Sequence, residues 1–260
     1  MKPRIKALLS LLGVTVLGMG LGTAGSQETG HTGPCRDIAY EGIPYTICEV
    51  SLQDDLRLWL DDAAGRPLGT FERVTAALAP EERLVFAMNA GMYHADRGPV
   101  GLFVDAGKER HPIVTSEGPG NFGLLPNGVF CAGEAGFRVV ESRSFKETAP
   151  ACRIATQSGP MLVIDGQLHP RFLPDSDSFN IRNGVGVSAD GQKAWFAISN
   201  RAVNFHQFAR LFRDHLHTPN ALFLDGSISR LAVPALGRQD FGVPMGPIIG
   251  VVAPAEAPHD

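Results

Sequence analysis

The sequence predicts an α+β protein, a single domain with a mixed or antiparallel sheet and a few helices. Several short apolar runs end at turn residues, a pattern typical of strands. The chain also has 30 glycines and 19 prolines, which predicts many turns. Convincing helical periodicity is confined to a short part of the chain, and no repeat or composition shift indicates a second domain.

The predicted strands are short apolar or β-branched segments bounded by Gly, Asp or Asn. They are residues 43–60, which hold more than one strand, then 84–88, 100–104, 161–164, 185–188, 194–198 and 221–224. The Ala-Asp-Gly at 189–191 predicts a hairpin between two of these strands.

Two helices are predicted. The first begins at a capping Thr70 and runs through Ala79, where Pro80 stops it. The second spans residues 204–216, because apolar side chains recur there at three- and four-residue steps. These side chains, which we expect to face the core, are Phe205, Phe208, Phe212 and Leu216.

The N-terminus predicts export. Three cations precede an apolar run at residues 7–21, and small residues follow, which is the pattern of a secretory signal peptide. We therefore expect residues 1–24 to be a signal peptide, 25–34 a flexible leader and 35–255 the functional domain, in a periplasmic or secreted protein. The alternative is a retained membrane anchor, although the run is shorter than the ~20 residues a spanning helix needs.

Charge and cysteines narrow the function further. Removing the signal peptide takes the formal charge from −4 to −7, which argues against nucleic acid or an anionic membrane as a partner.

Four cysteines in an oxidising compartment predict two disulfides. Of three possible pairings we favour Cys35–Cys48 and Cys131–Cys152, because each closes a local segment. No Cys-x-x-Cys, His-Glu-x-x-His or calcium-loop spacing is present, so we predict no metal and no cofactor.

Polar motifs follow or precede several predicted strands, where side chains can be aimed into a cleft. Asp225 follows a buried strand directly and precedes Gly226, although Asp-Gly is also a common turn. Arg182 precedes another strand and can bind phosphate bidentately, or hold a loop carbonyl instead. The motifs in chain order are Asn-Ala-Gly-Met-Tyr at 89–93, Pro-Val-Gly at 99–101, Gln-Ser-Gly-Pro-Met-Leu at 157–162, Arg-Asn-Gly-Val-Gly-Val at 182–187 and Leu-Asp-Gly-Ser at 224–227.

These five motifs in this order resemble the phosphodiester glycosidase family over roughly residues 84–231. Ser227 stands where the mammalian branch tends to have a second glycine, so the chain looks more like the bacterial branch. The resemblance implies hydrolysis of a sugar–phosphate bond at the anomeric carbon. Phosphate is a good leaving group, which makes the strong general acid of an ordinary glycosidase less necessary.

The residues fit this chemistry. Asp225 is the expected nucleophile or base at the anomeric carbon, and Arg182 is the expected phosphate clamp. Glu117 is our candidate for a second catalytic carboxylate, with Asp96 and Asp177 as alternatives. The candidate substrate-binding residues, at which a polar group or a close backbone approach suits a sugar phosphate, are Asn89, Gly91, Ser158, Gly226 and Ser227.

Two function classes follow. The first is an exported hydrolase that cleaves a sugar-1-phosphodiester in envelope or exopolysaccharide material. The second is a non-catalytic protein that binds a phosphorylated or acidic glycan in the same pocket. Convergence of Arg182 and Asp225 with a second carboxylate would favour catalysis, whereas Arg182 and amides alone would favour binding.

Overall fold

The computed structural model describes residues 33–225 and 228–255. The predicted signal peptide, most of the predicted leader, and Gly226 and Ser227 lie outside the described residues. Within the described part of the chain, no helix is long and apolar enough to cross a membrane.

The described chain forms seventeen strands and three short α-helices. Strands β1 to β17 are Cys35–Tyr40, Ile43–Ser51, Asp55–Trp59, Glu82–Asn89, Phe103–Asp105, Lys108–His111, Gly128–Gly133, Gly136–Glu141, Ile154–Ser158, Met161–Ile164, Gln167–Leu168, Asn183–Val187, Lys193–Ser199, Asn220–Phe223, Leu231–Val233, Arg238–Gln239 and Ile248–Pro254. Helices α1 to α3 are Phe71–Ala76, Ser142–Thr148 and Phe205–Arg210.

The strands form three sheets, and every described strand pair is antiparallel. The first sheet has the order β1-β2-β13-β12-β14-β10-β11, the second β16-β15-β4-β17-β3 and the third β6-β5-β9-β7-β8. The α+β class is confirmed, with the antiparallel form of the two sheet types that the sequence allowed.

All three sheets contribute to one central core. Phe196 of β13 lies 5.7 Å from the ring of Phe86 in the second sheet and 5.5 Å from the ring of Phe130 in the third. All three rings are fully buried. Burying such large apolar rings is the main force that holds sheets together.

Each sheet carries a helix on its outer face. Helix α3 and the π-helical turn Leu211–His215 pack on the first sheet through Phe208 and Phe212, as the sequence predicted. Helix α1 packs on the second sheet through Phe71 and Val74. Helix α2 packs on the third through Phe145.

Two predicted boundaries were wrong. Thr70 does cap α1, but the helix ends at Ala76 because the Ala79 backbone nitrogen donates to Glu82 instead. The predicted strand at 100–104 begins only at Phe103. Gly101 and Leu102 instead pack against the Gln157 side chain, whose Oε1 accepts from the Leu102 nitrogen at 2.9 Å.

Both favoured disulfides are confirmed. Cys35 and Cys48 lie opposite each other in the β1–β2 ladder and form one bond. Cys131 of β7 and Cys152, which precedes β9, form the other. Disulfide bonds form and persist in oxidising compartments, so these two bonds are consistent with the predicted export.

Candidate active site

The predicted site lies where strand ends of the three sheets meet. Asp225 follows β14 of the first sheet, Asn89 ends β4 of the second, and Ser158 ends β9 of the third. Because strand ends of three sheets come together here, residues that are far apart in the chain are neighbours.

Asp225 faces a cavity of 330 Å³. The other polar residues that line it are Tyr93, His94 and Arg97, and the apolar ones are Met92, Ala95, Val100 and Ile228. Only 7% of Asp225 is exposed, so its carboxylate is close to solvent without being surrounded by it. A mostly buried carboxylate on the wall of a small cavity is placed to contact a bound ligand directly.

Tyr93 lines the cavity together with Asp225, and its pKa is raised. Burial, and then the negative charge of Asp225, raise the pKa of the Tyr93 hydroxyl, while Arg97 and Arg230 partly oppose this. Its hydroxyl is buried and has no hydrogen bond of normal geometry within the described residues. The Arg97 guanidinium lies 5.6 Å from the centre of its ring. The cavity therefore combines a carboxylate, a protonated phenol and a cation.

Asn89 and Asn183 form a buried amide pair behind Asp225. The Asn89 Nδ2 donates to Asn183 Oδ1 at 3.3 Å, and Asn183 Nδ2 donates back to the Asn89 carbonyl at 2.9 Å. Asn183 Oδ1 also accepts from the Asp225 backbone nitrogen at 3.4 Å. Asn89 is thus near Asp225, but its amide faces other protein groups rather than the substrate it was expected to bind.

Ser158 and Gly91 also have partners inside the protein. The buried Ser158 hydroxyl donates to the carbonyl of Leu224, the residue before Asp225. The Gly91 nitrogen donates to the Thr156 hydroxyl at 3.0 Å, and a Cβ on Gly91 would come within 2.2 Å of the Gln157 carbonyl oxygen. Close packing between strand ends therefore requires glycine here.

Arg182 is almost fully buried, with 1% exposure. Its Nε donates to the Val203 carbonyl and its Nη2 to the Ser178 carbonyl, at 2.9 and 2.8 Å. Burial lowers the pKa of its guanidinium to about 10. Nη1 has no partner within the described residues. These contacts correspond to the loop-holding alternative of the sequence analysis rather than to an open phosphate clamp.

The candidates for a second carboxylate are not beside Asp225 in this cavity. Glu117 is exposed, in the segment 116–120, and is not among the residues that line the cavity. Asp96 caps a turn by accepting from the Gly98 nitrogen at 3.0 Å, and Asp177 is exposed in another loop. Gly226 and Ser227 lie outside the described residues.

Across residues 33–225 and 228–255, no group of three or more His, Cys, Asp or Glu side chains could hold a metal ion. A larger cavity of 740 Å³ lies against the Cys131–Cys152 disulfide and contains none of the predicted site residues. We therefore centre the candidate site on the smaller cavity, which contains Asp225.

Sequence reasoning missed four residues of this region: Tyr93, His94, Arg97 and Asn183. Tyr93 and Asn183 lie within the motifs listed above, so treating every polar residue of those motifs as a candidate would have identified them. His94 and Arg97 lie in a turn that no strand or helix pattern marks, and the Arg97 backbone has a positive φ of 75°.

Comparison with known proteins identifies the class of this fold and site. A model of the phosphodiester glycosidase family matches residues 82–243. This range includes the site residues Asn89, Ser158 and Asp225. The chain belongs to the phosphodiester glycosidase family.

Two relatives are informative. The chain is 34% identical over 176 residues to the uncharacterized protein YigE of Escherichia coli (strain K12), covering 68% of each chain. The fold is similar to that of the zebrafish N-acetylglucosamine-1-phosphodiester alpha-N-acetylglucosaminidase catalytic domain, auto-inhibited by its pro-peptide. That match has a TM-score of 0.59 and 14% identity, and covers 84% of this chain and 81% of the zebrafish chain.

Proposed function

We propose that this protein is an exported hydrolase that cleaves the glycosidic bond of a sugar-1-phosphodiester and releases a phosphomonoester. Family membership supports the reaction class, and the two disulfides support an oxidising compartment. The natural substrate in this proposal is envelope or exopolysaccharide material.

The observation that carries the proposal is Asp225 on the wall of a 330 Å³ cavity together with Tyr93 and Arg97. Asp225 acts at the anomeric carbon, as nucleophile or as base for water. Its mostly buried position strengthens its interaction with the positive charge that develops on the sugar ring. The released phosphate needs little proton donation because it is a weak base.

A cation gives the phosphate a place to bind. Arg97 lines the cavity, whereas Arg230 does not, and the Arg230 Nη1 donates to the Val243 carbonyl at 2.6 Å. A guanidinium binds phosphate oxygens with paired hydrogen bonds. We therefore assign the phosphate to Arg97, and assign Arg182 the task of holding the backbone behind the site.

Tyr93 supplies a neutral donor. Its raised pKa keeps the hydroxyl protonated at neutral pH, so it can donate to a substrate oxygen without adding negative charge beside Asp225. Within the described residues this buried hydroxyl has no hydrogen bond of normal geometry, and use by the substrate explains its position.

The test is a panel of sugar-1-phosphodiesters with phosphomonoester release as the readout. Asp225→Asn should reduce turnover by several orders of magnitude, since the amide keeps the shape but cannot act as nucleophile or base. The anomeric configuration of the released sugar separates the two roles of Asp225, because a nucleophile gives retention and a base gives inversion.

Asp165→Asn is a matched control. Asp165 is the turn residue after β10, and its backbone nitrogen bonds to Asn220, so the same chemical change occurs far from the cavity. This variant should keep normal activity. Near-normal hydrolysis by Asp225→Asn would show that Asp225 is a turn residue only.

The second candidate function is binding of a phosphorylated or acidic glycan without catalysis. It is favoured by the position of Glu117, which is exposed and does not line the cavity with Asp225. Binding of a panel compound with no release of phosphomonoester, by wild type at high protein concentration, would select this function instead.

A further inference from the structure

We infer that Asn89 and Asn183 are a positioning pair that fixes the direction of the Asp225 carboxylate. The inference rests on the proposed function, because it assigns catalysis to Asp225. It also replaces the substrate-binding role that the sequence led us to expect for Asn89.

Asn183 is the centre of the arrangement. It is fully buried at the start of β12, and its Oδ1 accepts from three donors: Asn89 Nδ2 at 3.3 Å, the Asp225 nitrogen at 3.4 Å and the Ser229 hydroxyl at 3.1 Å. Its Nδ2 donates to the Asn89 carbonyl and contacts the Met88 sulfur. The amide is therefore fully used inside the protein and has no group left for a ligand.

Asn89 holds the other end of the same segment. Its Oδ1 accepts from the Arg230 backbone nitrogen at 2.8 Å, while its Nδ2 reaches Asn183. The two amides therefore bind the chain at residue 225 and again at residue 230. The backbone at Asp225 and at Arg230 is thus held by two side chains that bond to each other.

The pair also joins two sheets at this point. Asn183 begins β12 of the first sheet and Asn89 ends β4 of the second, so their bonds hold these two strand ends together. Both amides are fully buried, so losing one hydrogen bond between them leaves another buried polar group unpaired. A shift of about 1 Å in a catalytic group can cost about 100-fold in rate.

The experiment compares Asn183→Ser with Asn220→Ser. Asn220 begins β14, at the opposite end of the strand that Asp225 follows, and its Oδ1 accepts from the Asp165 nitrogen at 3.0 Å. Both variants lose an amide that holds a backbone nitrogen beside the same strand. Only Asn183→Ser should lower kcat, by about 100-fold, with KM changed little.

Ser229 gives a milder change within the same arrangement. The Ser229 hydroxyl contacts both Asn183 Oδ1 and the Asp225 carbonyl, each at 3.1 Å, so Ser229→Ala removes a link between the pair and Asp225 and should lower kcat by about tenfold. Ser229→Thr keeps the hydroxyl and should restore most of that loss. A purely structural role would not separate these two variants by kcat.

A second readout does not depend on substrate. Hydrogen exchange of the Asp225 and Arg230 backbone amides, which bond to Asn183 and Asn89, should be followed by NMR and become faster in Asn183→Ser but stay as in wild type in Asn220→Ser. Unchanged exchange in Asn183→Ser would overturn the inference. An increase in KM with kcat intact would also overturn it, because Asn183 would then act through substrate binding. If Asp225→Asn is active, the proposed function fails, and the exchange experiment alone still decides whether the pair positions this segment.

Discussion

The guanidinium carbon of Arg182 lies 3.6 Å from the centre of the Phe205 ring. Phe223 is on another side of the same guanidinium, at 5.4 Å. Stacking on aromatic rings and bonds to two backbone carbonyls hold this cation inside the protein without a carboxylate partner in the described residues. Arg182 thereby links β12 to the loop at residue 178 and to the start of α3.

Arg182→Lys should therefore destabilise the fold. A lysine keeps the charge but cannot stack as a plane or bond both carbonyls, so we expect a loss of about 2 kcal/mol in the free energy of unfolding. Urea denaturation measures it. A normal unfolding midpoint with a raised KM for phosphodiesters would instead support the phosphate clamp that the sequence suggested.

Glu117→Gln should leave activity within about twofold of wild type, because exposed side chains away from a site have small effects. The comparison is kcat/KM on the best substrate of the panel, with Asp225→Asn measured beside it. A loss in Glu117→Gln as large as that in Asp225→Asn would make Glu117 the second catalytic carboxylate after all.

Local features of the fold were predictable from the sequence. The phenylalanine spacing identified the buried side of α3, and the Asn204 side chain caps that helix where the predicted segment begins. Strand positions followed from apolar runs between turn residues. Such signals depend only on neighbours in the chain, so they are present in the sequence before folding.

The site was only partly predictable. Asp225 could be identified because a strand ends there, but its environment depends on pairs such as Asn89 and Asn183, which are 94 residues apart. For Arg182 the sequence could not distinguish between two roles. An arginine next to glycines has the same sequence pattern whether it binds phosphate or backbone carbonyls, and only burial and contacts distinguish the two.

Tyr93→Phe should change stability and activity in opposite directions. Within the described residues the Tyr93 hydroxyl has no hydrogen bond of normal geometry, so its removal should leave the melting temperature the same or higher. Loss of the donor to substrate should lower kcat/KM by about tenfold or more. Thermal melts and initial rates on the same preparations test both. Equal activity in Tyr93→Phe would remove Tyr93 from the mechanism.

The last prediction concerns pH and His169. This histidine is buried: its Nδ1 accepts from the Arg171 nitrogen, its Nε2 donates to the Leu125 carbonyl, and its ring stacks on Phe172 at 4.7 Å. Burial is the main cause that lowers its pKa from 6.5. Only the neutral ring can accept at Nδ1, so protonation breaks a contact as well as burying a charge.

Because the folded pKa lies below the unfolded one, the unfolded chain binds the extra proton first as pH falls. The stability from neutral His169 is therefore complete above pH 6.5 and is lost as pH decreases from there towards the folded pKa. The slope from one such group is at most about 1.4 kcal/mol per pH unit. The pH dependence of stability is measured from the urea midpoints of wild type and His169→Gln between pH 8 and pH 5. The urea midpoint of the wild type should fall more steeply below pH 6.5 than that of His169→Gln. Parallel curves for wild type and His169→Gln would mean that His169 takes up its proton as easily in the folded protein as in the unfolded chain.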